Sequence, residues 1–270
     1  MDSGPSSRGA LSHTLTATSV SQPPLPPQTR YWNRAEDRQR VVNALFDRSA
    51  GQYDRACGIM SLGLGQTYRR AALERGGLRQ GMDVLDVGTG TGLVAREVIH
   101  LLGSSGRVTG IDPSLGMMAA GRHRSRVGVV QGVGECLPFS DCCFDFITMG
   151  YALRHVPDLD QTFGEYLRVL KPGGKALLLE ITKPTSAIAT LVARLYFGIA
   201  VPCAAWMGTG SADAAKLMRF YWDTIAQCVP PESVLASLRR AGFVATGRTV
   251  LHGIFSEYTA MRAQSLHPKR

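Results

Sequence analysis

The sequence predicts an α/β fold: a doubly wound, mostly parallel seven-stranded sheet preceded by a helical lid. Three observations predict it. The stretch Asp83-Val84-Leu85-Asp86-Val87-Gly88-Thr89-Gly90-Thr91-Gly92 reads as a buried strand that enters a glycine turn and then a helix. Beyond it, short apolar runs and helical segments alternate, as the crossovers of a parallel sheet require. Two extended runs around Gly253 then close the chain as an antiparallel hairpin.

Residues 1–30 are rich in Ser, Thr and Pro and end in Pro23-Pro24-Leu25-Pro26-Pro27, a composition that buries no core and predicts a disordered tail. Only Arg8 and Arg30 are basic there, which favours a plain tail over a transit peptide. Residues 31–80 form the lid. Val41, Val42, Leu45 and Phe46 sit at helical spacing, and a second helix is expected over 66–75. Placed before the first strand, these helices lie over the carboxyl edge of the sheet, where open α/β sheets bind ligands.

Residues 81–265 form the main domain. Its expected strands are 83–87, 107–111, 127–131, 144–149, 175–181, 243–251 and 254–262; its helices are 91–102, 114–122, 159–169 and 231–240. Pro172-Gly173-Gly174 predicts a turn into the fifth strand. A helical insertion spans about 185–228. Within it, residues 187–208 are mostly apolar but interrupted by Arg194 and Pro202, which suits the wall of an apolar pocket better than a membrane span.

The 270 residues suit one domain with additions, and 44% hydrophobic content is enough for its core. The net charge of +9 is spread out, with no basic run of five and no interleaved aromatics, so a nucleic-acid groove is not expected. Weak attraction to an anionic membrane surface stays open, as does a homodimer. No secretory signal stands out, and the six cysteines show no Cys-x-x-Cys pair or metal-ligand spacing. No metal is expected, and the thiols read as reduced in a cytoplasmic setting.

The glycine turn carries the chemistry. Its third dinucleotide-fingerprint position is Leu93 rather than glycine, and no Gly-Lys-Ser/Thr follows, so neither a Rossmann dinucleotide site nor a P-loop fits. Instead an acid, Asp86, precedes Gly88, Gly90 and Gly92, and Asp112 closes the second strand, where an acid suits a ribose diol. After the third strand, the small residues of Gly132-Val133-Gly134 let a flat ring approach the backbone. The fourth strand ends at Gly150, which puts Arg154 and His155 at the same edge. An imidazole there can take a phenolic proton near neutral pH, and a guanidinium can hold an oxyanion. The structural alternatives are a helix-capping His155 and an Arg154 paired with an acid such as Asp158.

The acid-flanked glycine loop resembles that of class I S-adenosylmethionine methyltransferases. More specific elements follow in order: Phe46, Asp47, Ala50, Tyr53 and Asp54; Met60-Ser61-Leu62-Gly63; Leu153-Arg154-His155; Arg168 to Gly174; Leu179 to Pro184; and Tyr221-Trp222-Asp223-Thr224-Ile225 before Ala241-Gly242-Phe243. Over about 45–262 the chain resembles the ubiquinone/menaquinone biosynthesis methyltransferase family. The resemblance implies a metal-free Rossmann-like enzyme that moves a methyl group from S-adenosylmethionine to a carbon of a prenylated quinol, an apolar aromatic or lipid-like acceptor. It implies that Asp86, Gly88 and Gly90 line the methionine end of the cofactor, that Asp112 holds the ribose and that Val133 and Gly134 flank the adenine. Thr89, Gly92, Pro113, Met117, Glu135 and Gly150 complete the expected cofactor set. Arg154 and His155 are the expected catalytic pair, with Asp47, Tyr53, Glu180, Tyr221 and His252 as weaker pocket candidates.

Two positions depart from the family pattern. Val133 stands where an acid is usual, and His155 stands where asparagine is usual, beside the reacting atom. The rival readings are an O- or N-methyltransferase of a secondary metabolite or lipid, and a non-catalytic subunit that holds S-adenosylmethionine.

Overall fold

The computed structural model of the chain describes residues 31–264, apart from Asn33 and residues 122–125. The tail expected over 1–30 lies outside the described residues. In chain order the elements are α1 (Arg38–Ser49), α2 (Tyr53–Met60), α3 (Gly65–Gly76), β1 (Asp83–Val87), α4 (Leu93–Leu102), β2 (Arg107–Asp112), α5 (Leu115–Ala120), β3 (Val127–Gln131), β4 (Phe144–Gly150), α6 (Leu159–Val169), β5 (Leu170–Ile181), α7 (Ala187–Leu195), a π turn (Tyr196–Ala200), α8 (Val201–Thr209), α9 (Ala212–Ala226), α10 (Pro231–Arg240), β6 (Val244–Leu251) and β7 (Phe255–Met261).

The seven strands form one sheet in the order β3-β2-β1-β4-β5-β7-β6. The first five pair in parallel, and β7 runs antiparallel between β5 and β6. The order reverses between β1 and β4, which opens a crevice at their carboxyl ends, the place where such sheets take ligands. β1 is buried along Val84–Val87, as its unbroken apolar pattern requires. Side chains such as Phe163, Tyr166 and Leu238 fill one face of the sheet, and Leu73, Val98 and Phe146 fill the other.

Several boundaries differ from expectation for local reasons. The helix after the glycine turn starts at Leu93, because Gly92 takes the left-handed conformation at φ +84°. Pro172-Gly173-Gly174 lies inside a longer β5, which begins at Leu170 opposite Phe144. The register shifts between Phe144 and Phe146, and Gly173 absorbs the irregularity at φ +79°. Of the expected second lid helix, α3, the beginning keeps Gly65, Tyr68 and Arg69 on the cavity wall, while the end packs on the sheet, where a Cβ at Gly76 would lie 2.9 Å from Leu177 of β5.

The lid itself is α1 and α2 combined with the insertion. Leu45, Phe197, Val201, Leu217, Phe220 and Tyr221 make a third core, separate from the two on the sheet faces. α1 packs on α9, and α2 packs on α8. The cap is thus assembled from two segments far apart in sequence, and it closes over the β1/β4 crevice.

Candidate active site

The glycine turn is built by backbone hydrogen bonds to the neighbouring strand. Gly88 and Thr89 both donate their amides to the Ile111 carbonyl, at 2.8 and 3.1 Å. Gly88 sits at φ +68°, and a Cβ on it would come within 2.8 Å of the Ala152 methyl group. Gly90, at φ +55°, donates its amide to Asp112 Oδ2 at 2.8 Å, and Ser114 donates its own to Asp112 Oδ1 at 2.8 Å. The acid at the end of β2 therefore holds the loop open as well as facing the crevice.

Asp86 lies beneath this loop, 1% exposed. Its Oδ1 accepts from the Thr148 hydroxyl at 2.5 Å, while its Oδ2 and the Thr89 hydroxyl make no well-formed hydrogen bond, the Thr89 hydroxyl and the Ala95 amide interacting with the carboxylate only weakly. Buried polar atoms without partners are costly, so this pair is suited to a ligand that donates or carries positive charge. Burial pushes both Asp86 and Asp112 up to about 6. A glycine cradle with orphaned acceptors and a second acid at the next strand fits the amino-acid end and the ribose of S-adenosylmethionine.

Two aspartates of the lid fasten it to this cradle. Asp47 of α1 accepts from the Ser114 hydroxyl at 2.5 Å and from the Gly116 amide at 2.9 Å. Asp54 of α2 accepts from the Thr91 hydroxyl at 2.5 Å. The lid is therefore bonded to the same turn that would hold the cofactor.

Beyond the cradle a cavity of about 290 Å³ runs under the lid, walled by Phe46, Tyr53, Met60, Leu64, Phe197 and Tyr221 among others. The Tyr53 and Tyr221 hydroxyls bond each other at 2.7 Å, and burial pushes both phenols above their ordinary range. Arg154 borders the cavity from a fixed position. Its Nη1 donates to Glu180 Oε1 at 2.5 Å, its Nε donates to the Thr224 hydroxyl at 3.0 Å, and its guanidinium carbon lies 4.8 Å from the Tyr221 ring centroid. Burial alone would lower its pKa, but the Glu180 carboxylate outweighs that and keeps it charged.

His155 also borders the cavity. Its ring stacks on Phe220 at 5.5 Å and meets the edge of Phe46 at 5.5 Å, and neither nitrogen has a hydrogen-bond partner. Burial, and then the charges of Arg154 and Arg38, hold the imidazole well below its ordinary pKa. The expectation that it takes up a phenolic proton near neutral pH runs against this shift, which favours the neutral imidazole, a group that still offers a hydrogen bond. Of the structural alternatives, the capping one does not hold, since His155 caps no helix, whereas Arg154 is indeed paired with an acid, although that acid is Glu180 on β5 rather than Asp158.

The structure brings Gly88, Thr89, Gly90, Asp112, Pro113, Met117, Gly150, Arg154 and His155 to the cavity wall. Asp86 lies just behind it, and Gly92 forms the N-cap of α4. Val133, Gly134 and Glu135 lie off this wall, in a turn pinned by a Val133–Cys136 bridge. Of the weaker candidates, Tyr53, Tyr221 and His252 line the cavity, Glu180 acts through Arg154, and Asp47 acts through Ser114. Sequence pattern does not single out Cys57, and it includes Thr224 only within the Tyr221–Ile225 element, with no role of its own. Cys57 is buried at the cavity wall with its thiol pushed up to about 12 by burial. Among the described residues, no three His, Cys, Asp or Glu side chains converge as a metal site.

Residues 33–262 match the ubiE/COQ5 methyltransferase family. The chain belongs to that family. It is 39% identical over 216 residues to the ubiquinone/menaquinone biosynthesis C-methyltransferase UbiE of Shewanella sediminis, covering 77% of this chain and 85% of the relative. It is 30% identical over 235 residues to the UbiE of Hahella chejuensis, covering 84% and 93%. Among solved structures, a Thermotoga maritima S-adenosylmethionine-dependent methyltransferase, described as a possible histamine N-methyltransferase, superposes with a TM-score of 0.58 at 20% identity, covering 81% of this chain and 99% of that one. The [4+2]-cyclase SpnF superposes at 0.60 with 19% identity, covering 90% and 100%. Those likenesses speak for the fold alone. As a member of the ubiE/COQ5 family, this chain is an enzyme, and S-adenosylmethionine is its methyl donor.

Proposed function

We propose that this methyltransferase places the methyl group on a ring carbon of a prenylated quinol. One observation carries the reading: the glycine cradle opens directly into an apolar cavity whose polar features include a fixed cation, Arg154, and a neutral, unpartnered imidazole, His155. An aromatic ring with one ionisable oxygen matches that lining, and the apolar walls suit a hydrocarbon tail.

When bound, S-adenosylmethionine would supply an electrophilic sulfonium methyl group for the ring carbon, its carbon–sulfur electron pair remaining on sulfur. The protein makes that carbon nucleophilic. The Arg154 charge stabilises the oxyanion of the ring hydroxyl, while His155 fixes the direction of that oxygen with a hydrogen bond. Glu180 and Thr224 keep the guanidinium aimed, so little reorganisation is needed as charge develops. The hydroxyl proton leaves to water rather than to His155, whose burial disfavours the charged imidazole. The methylated ring carbon would then pass its own proton to water, the C–H electron pair returning to the ring so that aromaticity is restored. The lid holds the reactants together, an arrangement that can contribute roughly 7–11 kcal/mol.

The six cysteines are free thiols, in keeping with a reducing, cytoplasmic compartment. We further place the working enzyme at a membrane surface, where prenylated acceptors reside. The test is turnover of reduced short-chain benzoquinols and naphthoquinols with methyl-labelled S-adenosylmethionine. The expected product carries the label on carbon and keeps it through ether and ester cleavage. Label lost on cleavage would instead point to O-methylation, and no transfer to any quinol would overturn the acceptor class.

A further inference from the structure

We propose that the outer face of α7, the π turn and α8 docks on an anionic lipid bilayer and feeds the acceptor's tail into the cavity. The proposal rests on the prenylated-quinol reading for its purpose but on separate observations for its surface.

Ile188, Leu191, Val192, Leu195 and Ile199 recur at helical spacing, and each is more than half exposed. Trp206 and Met207 continue the stripe at 58% and 73% exposure. The opposite side of the same helix, Ala193, Phe197, Val201 and Ala205, is buried in the lid core. Ala187–Thr209 is long and apolar enough to cross a membrane by length and composition, yet one side of it is committed to the protein. An element held in that way lies in the plane of an interface instead of spanning it. From Ile188 to Met207 the apolar stripe runs about 28 Å.

A second segment extends the face. The turn between α2 and α3 presents Leu62 and Leu64 at 75% and 67% exposure, and Leu62 is held at φ +49°, an unfavourable conformation for a branched side chain. This turn is bonded to the π turn, with the Tyr196 hydroxyl donating to the Met60 carbonyl at 2.9 Å. Met60 and Leu64 from one side and Phe197 from the other also wall the cavity. The exposed apolar surface and the cavity lining are therefore continuous.

Charge selects the occupant. Residues 55–73 and 183–212 carry Arg55, Arg69, Arg70, Lys183 and Arg194 and contain no acid. Arg55, Lys183 and Arg194 are exposed and form no ion pair among the described residues. Anionic headgroups complement such a rim. A second copy of this chain meeting the same face about a twofold axis would bring like charges together.

The test uses the full chain and vesicles of phosphatidylcholine containing one quarter phosphatidylglycerol, with pure phosphatidylcholine as the control. The wild type is expected to cosediment with the anionic vesicles and to be released by salt. The variant Ile188→Ser/Leu191→Ser/Leu195→Ser should lose about tenfold or more in vesicle affinity. Lys183→Gln/Arg194→Gln should lose the preference for phosphatidylglycerol. Both variants should bind S-adenosylmethionine normally in calorimetry and turn over a water-soluble short-chain quinol like the wild type. A wild type that stays in the supernatant, or a triple serine variant that binds like the wild type, overturns the proposal. So does a wild-type dimer that the serine substitutions dissociate without any vesicle binding, which would make the face an interface between copies. If the triple variant fails to bind S-adenosylmethionine, the charge variant decides alone. Vesicle binding without turnover of any quinol would refute the acceptor reading and leave the surface standing.

Discussion

Arg154 and Glu180 form an ion pair at 2.5 Å with both side chains 1% exposed, and the pair stands directly behind the cavity. The attraction between two buried charges offsets the cost of desolvating them only while both are present. Glu180→Ala is therefore expected to destabilise the protein by about 3–5 kcal/mol, because it strands a buried guanidinium. Glu180→Gln should cost less, since the amide oxygen still accepts from Nη1. Thermal unfolding of the two variants measures the difference. The Gln variant should also show lower kcat with little change in S-adenosylmethionine affinity, because the aim of Arg154 loosens while the cradle stays intact.

His155 gives a prediction with a definite sign. Burial and the neighbouring arginines hold it neutral in the folded state, well below the ordinary imidazole range. The unfolded chain takes up this proton near 6.5 and the folded chain does not, so acidification below that value favours unfolding. His155→Phe should remove that component of the acid destabilisation, visible as a flatter stability profile below about pH 6.5. The same variant should lower kcat by about 10–100-fold through loss of one hydrogen bond to a charged oxygen. His155→Asn, which keeps a polar group, should retain more activity than His155→Phe.

Asp86 and Asp112 run the opposite way. Burial raises both to about 6 from an ordinary 3.8, so the folded chain holds protons that the unfolded chain has released. Stability of the free enzyme from these groups is full below 3.8 and is lost as pH rises through 6. A cationic ligand prefers the ionised carboxylates, so affinity for S-adenosylmethionine should tighten over the same window. Below 6 the expected loss is about tenfold per pH unit for one obligatory carboxylate. Calorimetry between about pH 5 and pH 7.5 checks this, together with the proton release that accompanies binding. Affinity that stays flat across the window would remove both acids from the cofactor site.

The parts of this picture that can be read from the sequence are those set by local pattern. The β1 run, the glycine turn and Asp112 are contiguous or nearly so, and the backbone alone brings them together. Arg154 and His155 can be placed at the sheet edge because they follow β4 directly. Their partners cannot. Glu180 reaches Arg154 only because β4 and β5 pair in parallel with Gly150 opposite Leu179, a register offset by the irregularity near Phe144. Thr224 is hidden in the middle of α9, bonded to its own helix through Phe220 and Tyr221, and no periodicity marks it. The proton affinity of His155 escapes a sequence reading for the same reason: it depends on Phe220, Phe46 and Arg38, all distant along the chain. The two lid aspartates are similar, since their partners Ser114, Gly116 and Thr91 lie far along the chain.

Two glycines separate the effect of a cradle from that of a helix. Gly88 holds a left-handed conformation, and a methyl group on it would meet Ala152 at 2.8 Å. Gly88→Ala must therefore strain the backbone and push the turn away from β4, and binding of S-adenosylmethionine should fall by at least tenfold, a loss of about 1.4 kcal/mol. Gly58, inside α2, has no left-handed requirement, and a Cβ on it would meet nothing within 4 Å. Gly58→Ala should stabilise the lid by about 0.4–1 kcal/mol through reduced freedom of the unfolded chain. Binding titrations should report the loss in Gly88→Ala and no change in Gly58→Ala, and thermal melts should report the gain in Gly58→Ala. If Gly88→Ala bound the cofactor like the wild type, the close approach at this turn would have another purpose.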